Sequence, residues 1–286
     1  MKLSIITINY NNAEGLRKTM ESVLAQTYTE IEYIIVDGAS TDGSVDVIRE
    51  LATRPTIKWV SEKDTGIYNA MNKGIRMATG EYIQILNSGD ILAADDVTER
   101  MMAALASYSE QSERSTGEAE LQQSDLPTIL YGNMIKVNAQ GKVVGKSGYT
   151  EYSLRQFYSS TLNHDCAYIR RDLFEEYGLY DENLKIVSDW KWYLQAIGLG
   201  RVKPVYVDID VTIFDDGGIS ETQLDRRAAE RRQVLEELLP PAVLWDYDTH
   251  AFEMEQMKRL RRWKLYPLVY FMERVLFKLE KWGILR

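Results

Sequence analysis

EYIQILNSGD (Glu81–Asp90) combines the pattern of a buried strand with a carboxylate at its end. Tyr82–Leu86 is almost entirely apolar and lies between Gly80 and the turn-forming residues Asn87–Gly89. An apolar run of this length predicts a strand buried on both faces, as in a parallel sheet covered by helices. Asp90 follows the carboxyl end of this strand, where open α/β sheets bind ligands. It is therefore either a ligand-binding carboxylate or part of a polar turn before the next helix.

Three segments that precede this stretch have the same apolar pattern: Leu3–Ile8, Ile31–Val36 and Ile57–Val60. Between them, apolar residues such as Leu16 and Met20 recur with helical spacing. Strands and helices that alternate in this way predict an α/β fold, with a doubly wound, mostly parallel sheet flanked by helices.

The composition divides the 286-residue chain into two parts. Residues 1–220 carry the alternating pattern, and within them residues 107–128 are polar and aperiodic, which predicts a solvated surface insertion. Residues 221–286 have a helical, charged pattern and predict a C-terminal extension. Asp172–Glu175 has the spacing of a capping box before a short helix. Phe214–Ser220 is rich in glycine and predicts a loop.

Composition and charge argue against several classes of protein. The formal net charge of −9 disfavours nonspecific binding to nucleic acid, whose phosphates require a basic surface. The single cysteine, Cys166, cannot form an intramolecular disulfide or a cysteine metal cluster. The sequence has no signal-peptide pattern and no apolar run near the roughly 18 residues that span a membrane. We expect a cytoplasmic protein without a nucleic-acid partner.

Four carboxylates follow predicted strands or begin a predicted helix: Asp37, Asp64, Asp90 and Asp189. The first three should converge at one edge of the sheet, because parallel strands all point the same way. The chain has neither the GxGxxG pattern of dinucleotide-binding domains nor a glycine-rich loop that ends in Lys-Ser or Lys-Thr. Acidic groups can bind a divalent cation that also contacts phosphate oxygens. They can also accept hydrogen bonds from sugar hydroxyls or abstract a proton.

Five segments resemble, in order, the motifs of one family: SIITINYNN, IIVDGASTDGS, EKDTGIYNAMNKGI, GEYIQILNSGD and KIVSDWKWYL. Over residues 1–220 the chain resembles a family 2 glycosyltransferase with a GT-A fold, of the type that builds bacterial polysaccharides. The resemblance implies that a sugar moves from a nucleotide-diphosphate sugar, with a UDP-sugar favoured, to a glycan or lipid-linked acceptor. It also implies Mg²⁺ or Mn²⁺ as the cofactor.

The resemblance further assigns roles to single residues. Asp189 falls on the catalytic base, and Asn87–Asp90 falls on the metal-binding DxD motif, so that Asp90 would ligate the metal. The resemblance also implies donor-binding residues. They are Thr7, Asn9 and Tyr10 around the end of the first strand, Asp37 after the second strand, Asp64, Asn72 and Lys73 in a loop near Asp64, and Asn87, Ser88 and Asp90. The motif departs from the family because Asn87 and Gly89 replace acids. Diphosphate oxygens and water would complete the metal shell, and we expect weak metal affinity without the donor.

The chemistry that such a site performs can be stated in physical terms. The departing diphosphate gains negative charge, which a metal at Asp90 would offset. Asp189 would accept the proton of the attacking hydroxyl. A single base with direct attack inverts the anomeric centre, whereas retention usually requires a second, nucleophilic carboxylate. Two alternatives stay open: a sugar-phosphate nucleotidyltransferase, and a catalytically weak scaffold that binds nucleotide or membrane.

Several candidates also have a structural interpretation. Asp189 could cap its helix. His164 and its neighbour Asp165 could contact the acceptor or a phosphate, or His164 could be a hydrogen-bonded structural residue. Trp190 could stack on a sugar or lie in the core. Gly218 could belong to a loop that closes over the donor or to a plain turn.

The end of the chain is basic and amphipathic. From Glu255 to Arg286 there are nine basic and three acidic residues, and apolar residues are interleaved with them. Pro267 should break the helical pattern in two. A basic amphipathic helix with aromatic residues suits an anionic membrane surface, so residues 257–286 could attach the protein to the inner face of the cell membrane. The alternatives are packing on the catalytic domain and a homodimer contact.

Overall fold

The computed structural model describes residues 1–116, 126–138, 140–215, 222–250, 262 and 266–281. The chain forms two compact units, residues 1–231 and residues 232–286. The first unit contains all the strands of the described residues, and the described residues of the second are mostly helical. Gly218 of the predicted glycine loop lies outside the described residues.

The strands of the described residues form a single sheet. They are β1 (Leu3–Asn9), β2 (Ile31–Asp37), β3 (Ile57–Ser61), β4 (Tyr82–Ile85), β5 (Ile91–Leu92), β6 (Ile129–Val137), β7 (Val143–Lys146), β8 (Ala167–Arg170) and β9 (Val205–Asp215). Their order is β3-β2-β1-β4-β8-β6-β9-β5, with β7 paired to β6. The first four strands in this order are parallel, β8 is antiparallel to both neighbours, and β6 and β9 are again parallel. This arrangement confirms the predicted α/β class.

The helices follow the predicted alternation with the strands. In the first unit they are α1 (Ala13–Leu24), α2 (Ser44–Leu51), α3 (Ile67–Met77), α4 (Val97–Thr116), α5 (Leu154–Ser159), α6 (Leu173–Glu176), α7 (Ser188–Tyr193) and a π-helical segment, Leu194–Leu199. Helix α8 (Leu224–Leu238) contains the boundary between the two units. In the second unit, residues 241–250 are helical, and α9 spans Tyr266–Lys281.

Helices cover both faces of the parallel strands, because successive side chains of a strand point to opposite faces. Leu3 and Ile5 of β1 lie in one hydrophobic cluster with residues of α1, α2 and α4. Ile6 points to the other face, toward α3, where a Cβ added at Gly74 would lie 2.4 Å from its Cγ2. Glycine at this position therefore lets α3 approach the sheet closely.

Three local predictions differ from the structure. Helix α4 continues to Thr116, so residues 107–116 of the predicted aperiodic insertion are helical. Asp172 forms no side-chain cap; its carboxylate instead accepts from Nε of Arg170 at 2.8 and 3.0 Å. Strand β9 runs to Asp215, so Phe214 lies in a strand and not in the predicted glycine loop.

The second unit presents an apolar helix surface. Exposed residues of α9 are Leu268, Tyr270, Phe271, Met272, Val275, Leu276 and Phe277. Lys278 and Lys281 lie in its last turn. Within the ranges described, no helix has the length and hydropathy needed to cross a bilayer.

Candidate functional site

A cavity of about 1060 Å³ lies at the carboxyl ends of the four parallel strands. Its wall includes Tyr10 after β1, Gly38 after β2, Asp64 after β3 and Asp90 after β4. The opposite wall carries Asp189 from α7. The carboxyl edge is where an open α/β sheet binds its ligand, so this cavity is the candidate active site.

Eight of the residues predicted from the sequence line this one cavity. They are Asn9, Tyr10, Asp64, Asn87, Ser88, Asp90, His164 and Asp189. The two acids with distinct predicted roles, Asp90 and Asp189, therefore face the same space although they come from distant parts of the chain.

Asp37 is not among the residues that line the cavity. Its carboxylate is fully buried and accepts from Asn9 Nδ2 at 2.8 Å, from the Ser40 backbone N–H at 3.0 Å and from Ser61 Oγ at 2.6 Å. Burial alone would raise the pKa of Asp37, but these donors hold the pKa below its ordinary value. Asp37 is thus a buried, charged residue whose hydrogen bonds join the carboxyl ends of β1, β2 and β3.

The turn after Asp37 brings two cavity residues together. A Cβ added at Gly38 would lie 2.6 Å from Oδ2 of Asp64 and 3.1 Å from Cδ2 of Tyr10. Glycine is therefore required for the carboxylate and the tyrosine ring to close in on this turn. Tyr10 is 67% exposed, so its ring lies at the mouth of the cavity.

Thr7, Asn72 and Lys73 also lie outside the cavity lining. The hydroxyl of Thr7 is buried 3.0 Å from that of Tyr33. Asn72 and Lys73 belong to α3 and not to a loop, which corrects the sequence prediction. The Asn72 side chain pairs with both backbone polar groups of Tyr180, at 2.8 and 3.0 Å, while Lys73 forms an ion pair with Glu62 at 2.9 Å. Their contacts join α3 to neighbouring segments.

Asp165 and Trp190 are buried in the protein and do not line the cavity. Oδ2 of Asp165 accepts from Thr212 Oγ1 at 2.9 Å, and burial raises the pKa of this carboxyl group. Trp190 is 2% exposed, and its indole N–H donates to the Phe157 carbonyl at 2.8 Å. Of the two interpretations of Trp190, the position in the core is the one observed.

The segment Asn87–Asp90, predicted to bind a metal, offers one carboxylate to the cavity. Asp90 is 5% exposed, and its backbone carbonyl accepts from Thr19 Oγ1 at 2.7 Å, which fixes the turn. Among the residues that the structure describes, no three His, Cys, Asp or Glu side chains cluster as a metal site. One carboxylate at a cavity wall fits a Mg²⁺ or Mn²⁺ ion that also binds substrate phosphates.

Asp189 is held from two sides. Tyr68 on α3 donates its hydroxyl to Oδ1 at 2.7 Å, and Nδ1 of His164 lies 3.2 Å from Oδ2. Burial would raise the pKa of Asp189, but His164 and Tyr68 keep the pKa below its ordinary value. Val187 is the N-cap of α7, so Asp189 lies inside the helix and is not its cap. The carboxylate is therefore ionised and faces the cavity.

His164 carries the complementary charge. Burial would lower the pKa of its imidazole, but the hydrogen bond and negative charge of Asp189 outweigh burial and raise the pKa to about 9. The imidazole is therefore an imidazolium at neutral pH. Nε2 of His164 lies 3.1 Å from Nδ2 of Asn87, so His164 bridges the helix α7 and the turn after β4.

Other cavity residues were not predicted from the sequence: Glu14, Lys18, Lys63, Tyr68, Lys185 and Phe214. Lys63 and Lys185 stand near Asp64 and Asp189 in the chain, which is the one signal that could have identified them. Lys185 Nζ donates to the Thr65 carbonyl at 3.0 Å. Lysine ammonium groups are suitable partners for phosphate oxygens.

Comparison with known proteins places the chain among glycosyltransferases. The model of the family described as Glycosyl transferase family 2 matches residues 4–178. The chain is 26% identical to a PGL/p-HBAD biosynthesis glycosyltransferase of Mycobacterium tuberculosis, over 80% of this chain and 82% of that protein. It is 31% identical to an uncharacterized glycosyltransferase of the same species, over 76% of each protein.

Solved structures with the same fold come from two further enzymes. Staphylococcus aureus TarS residues 1–349 align with a TM-score of 0.60 at 19% identity, covering 85% of this chain and 68% of that one. The mannosyltransferase PcManGT of Pyrobaculum calidifontis aligns with a TM-score of 0.55 at 19% identity, covering 96% and 85%. These similarities confirm the GT-A fold. Since the family match covers more than half of the sequence, the chain belongs to glycosyl transferase family 2 and is a glycosyltransferase.

Proposed function

We propose that this glycosyltransferase moves a sugar, with inversion, from a nucleotide-diphosphate sugar to a hydroxyl of a glycan or lipid-linked acceptor. The observation that carries the proposal is the common cavity of Asp90 and Asp189. A donor diphosphate near Asp90 and an acceptor hydroxyl near Asp189 would meet within this single space.

Asp189 is the proposed general base. The two oxygens of a carboxylate offer about four acceptor sites, and Asp189 accepts from Tyr68, His164 and the backbone N–H of Trp190. The remaining acceptor capacity can receive the proton of an attacking hydroxyl. A positioned base of this kind contributes about 10²–10⁴-fold to a rate.

Asp90 would hold Mg²⁺ or Mn²⁺ together with the donor diphosphate. The cation, when bound, would neutralise charge that develops on the leaving phosphates. The chain supplies further positive charge from Lys18, Lys63 and Lys185, which line the same cavity. We therefore expect the donor, and not the free protein, to complete the metal site.

A UDP-sugar is the favoured donor. TarS structures exist in complex with UDP-GlcNAc and with UDP, and PcManGT was solved with GDP-Man and Mn²⁺. Tyr10 and Asp64, at the mouth beside Gly38, would contact the base and ribose.

Thermal denaturation with a panel of nucleoside diphosphates tests the donor. UDP with Mn²⁺ should raise the melting temperature, since a ligand that binds the native state stabilises it by mass action. UDP alone should do so less, and UMP with Mn²⁺ serves as the control that lacks the second phosphate. A panel without any shift would contradict the proposal. Binding without sugar transfer would instead favour a nucleotide-binding scaffold.

The stereochemical outcome tests the mechanism. Direct attack assisted by one base should give a product of inverted anomeric configuration. Proton NMR of the product distinguishes the two anomers. A product with the configuration of the donor would refute inversion.

The helix α9 is proposed to attach the protein peripherally to an anionic membrane at the inner face of the cell membrane. Its exposed apolar residues, such as Phe271 and Phe277, would enter the interface, and Arg274, Lys278 and Lys281 would face lipid phosphates. Membrane attachment would bring the catalytic unit to a lipid-linked acceptor.

Co-sedimentation with vesicles tests this attachment. Full-length protein should bind vesicles that contain phosphatidylglycerol and not pure phosphatidylcholine. Replacing Arg274, Lys278 and Lys281 by Gln should weaken binding markedly, since each basic residue contributes about 1 kcal/mol. If the triple variant bound the vesicles as tightly as the wild type, the proposed electrostatic contribution to membrane attachment would be wrong. A homodimer contact, the alternative, would appear as a concentration-dependent mass without lipid.

A further inference from the structure

A chain of side-chain contacts, Tyr68–Asp189–His164–Asn87, lies in the lining of the cavity. The Tyr68 hydroxyl lies 2.7 Å from Oδ1 of Asp189, Nδ1 of His164 lies 3.2 Å from Oδ2, and Nε2 of His164 lies 3.1 Å from the Asn87 amide. The four residues come from α3, α7, the segment before β8 and the turn after β4. The chain therefore joins the candidate base to the turn that holds Asp90.

The charge on His164 decides how the Asn87 amide is oriented. An imidazolium donates from both ring nitrogens, so its Nε2 requires an acceptor and cannot face an NH₂ group. The two ends of an amide are nearly equal in shape, and their assignment follows the hydrogen-bond network. With Nδ2 toward His164, Oδ1 of Asn87 is buried without a hydrogen-bond partner. Exchanging the two ends places Oδ1 opposite the imidazolium N–H, so that Nε2 of His164 has an acceptor at 3.1 Å.

The surroundings of His164 make Asp189 its main partner. Negative charge acts on the imidazole from Asp189, Asp165 and Asp90, in that order. Asp189 also interacts electrostatically with Arg231, whose Cζ lies 4.8 Å from the centroid of the Trp190 ring. A second carboxylate in contact with Nε2 would compete with Asp189 for the imidazolium, whereas an amide oxygen does not.

We propose that His164 is a positioning residue that holds the Asp189 carboxylate toward the acceptor, and that Asn87 is an amide because its oxygen anchors the imidazolium without competing for it. This inference rests on the proposed role of Asp189 as the base. Asn87 is then an adaptation of the DxD position and not a lost metal ligand. Tyr68 fixes the other oxygen of the same carboxylate.

Substitution of His164 tests the positioning role. His164→Leu should lower kcat for UDP-sugar turnover by about 10–100-fold, because small misplacement of a catalytic group costs rate of this order. The Kd for UDP with Mn²⁺ should change less than twofold. The acidic limb of the pH profile should move to higher pH, since Asp189 loses the partner that lowers its pKa. His164→Asn, which keeps an N–H near the Nδ1 position, should recover part of kcat.

Tyr68→Phe provides a variant that removes one hydroxyl and keeps the ring. It should lower kcat less than His164→Leu and move the acidic limb in the same direction. An unchanged kcat and pH profile in both variants, with wild-type melting temperatures, would overturn the positioning role. A loss confined to UDP binding would overturn it as well, because it would make His164 a donor contact.

Restoring the acid at position 87 separates the two interpretations of this residue. Asn87→Asp should reduce kcat about tenfold, because the new carboxylate draws the imidazolium away from Asp189. A higher kcat together with tighter Mn²⁺ binding would identify Asn87 as a weakened metal ligand and overturn the inference.

An independent readout needs no substrate. The chain has two histidines, so His250→Gln leaves His164 as its only imidazole. NMR titration of that variant should give a pKa near 9 for His164, and adding Asp189→Asn should lower this pKa. An unshifted titration would show that the contact does not exist.

The same variants distinguish failure of the inference from failure of the proposed function. If Asp189→Asn retains full transfer, Asp189 is not the base and the proposed function fails. If Asp189→Asn abolishes transfer while His164→Leu, Tyr68→Phe and Asn87→Asp are all neutral, the positioning inference alone fails.

Discussion

The two ends of the parallel strands each hold a carboxylate with a lowered pKa: Glu32 is buried, whereas Asp189 is partly buried and lines the cavity. At the amino end, Glu32 of β2 accepts from Ser4 Oγ, from the backbone N–H of Thr79 and from Lys58 Nζ, at 2.7–2.8 Å. At the carboxyl end, Asp189 has two side-chain partners and lines a cavity of about 1060 Å³.

Under the proposed mechanism, this comparison contrasts a structural carboxylate, Glu32, with the proposed base, Asp189. The pKa direction is the same for both residues, so it does not separate them. Glu32 has protein donors around both oxygens, whereas Asp189 keeps acceptor capacity that faces open space. Remaining acceptor capacity in an open cavity is thus the stronger indicator of chemistry.

Asp189→Asn should have the largest effect on activity. It removes the proton acceptor and keeps the shape, so transfer should fall by about 10²–10⁴-fold. The measurement is the rate of nucleotide release from a UDP-sugar in the presence of acceptor. The melting temperature is measured alongside, because Asp189→Asn also removes the partner that raises the pKa of His164.

Glu32→Gln is the matched control, since it makes the same chemical change at the other end of the strands. It should leave nucleotide binding and transfer intact. If Asp189→Asn proved as active as Glu32→Gln, the distinction between the two ends of the sheet would be lost.

Glu32→Gln should instead destabilise the protein, by about 2 kcal/mol at pH 7. Burial opposes ionisation of Glu32, but the Lys58, Ser4 and Thr79 donors lower its pKa from 4.5 to about 2. A lowered folded-state pKa contributes stability above the unfolded value, and this stability is lost as the pH falls from 4.5 toward 2. Solvent screens the partners Lys2 and Lys58, which are 43% and 46% exposed, so the carboxylate stabilises the fold by less than its full pKa change corresponds to.

Urea denaturation at several pH values measures this contribution. The difference between wild type and Glu32→Gln should be largest at neutral pH and should shrink below pH 4.5. A difference that stays constant down to pH 2 would mean that the amide disturbs packing and not an ionised carboxylate.

The sequence predicted the positions of the strand ends better than the directions of the side chains there. Asp64 and Asp90 follow apolar runs whose ends define the cavity edge, so chain order alone placed them correctly. Asp37 has the same position after β2 but turns inward. Its direction depends on the nearby Ser40 and also on Asn9 and Ser61, which are far away in sequence and give no local signal.

The surroundings of Asp189 could not be predicted from the sequence either, because they depend on contacts between distant segments. Asp189 was predicted from its motif, but its two partners come from α3 and from the segment before β8. Tyr68 is 4% exposed and belongs to an amphipathic helix, so its pattern alone is that of a core residue. Only the packing of α3 beside α7 gives its hydroxyl a role.

Asp90→Asn should have the smallest of the three effects, and it tests whether a lone carboxylate suffices for a metal. Calorimetry should give a Kd for UDP with Mn²⁺ that is weaker by about tenfold, or roughly 1.4 kcal/mol. The Kd without Mn²⁺ should not weaken, since the substitution removes a negative charge near the diphosphate. Asp95→Asn, the same change at an exposed position nearby, should alter neither value. If Asp90→Asn behaved like Asp95→Asn, the cavity lysines would neutralise the diphosphate charge without a metal at Asp90.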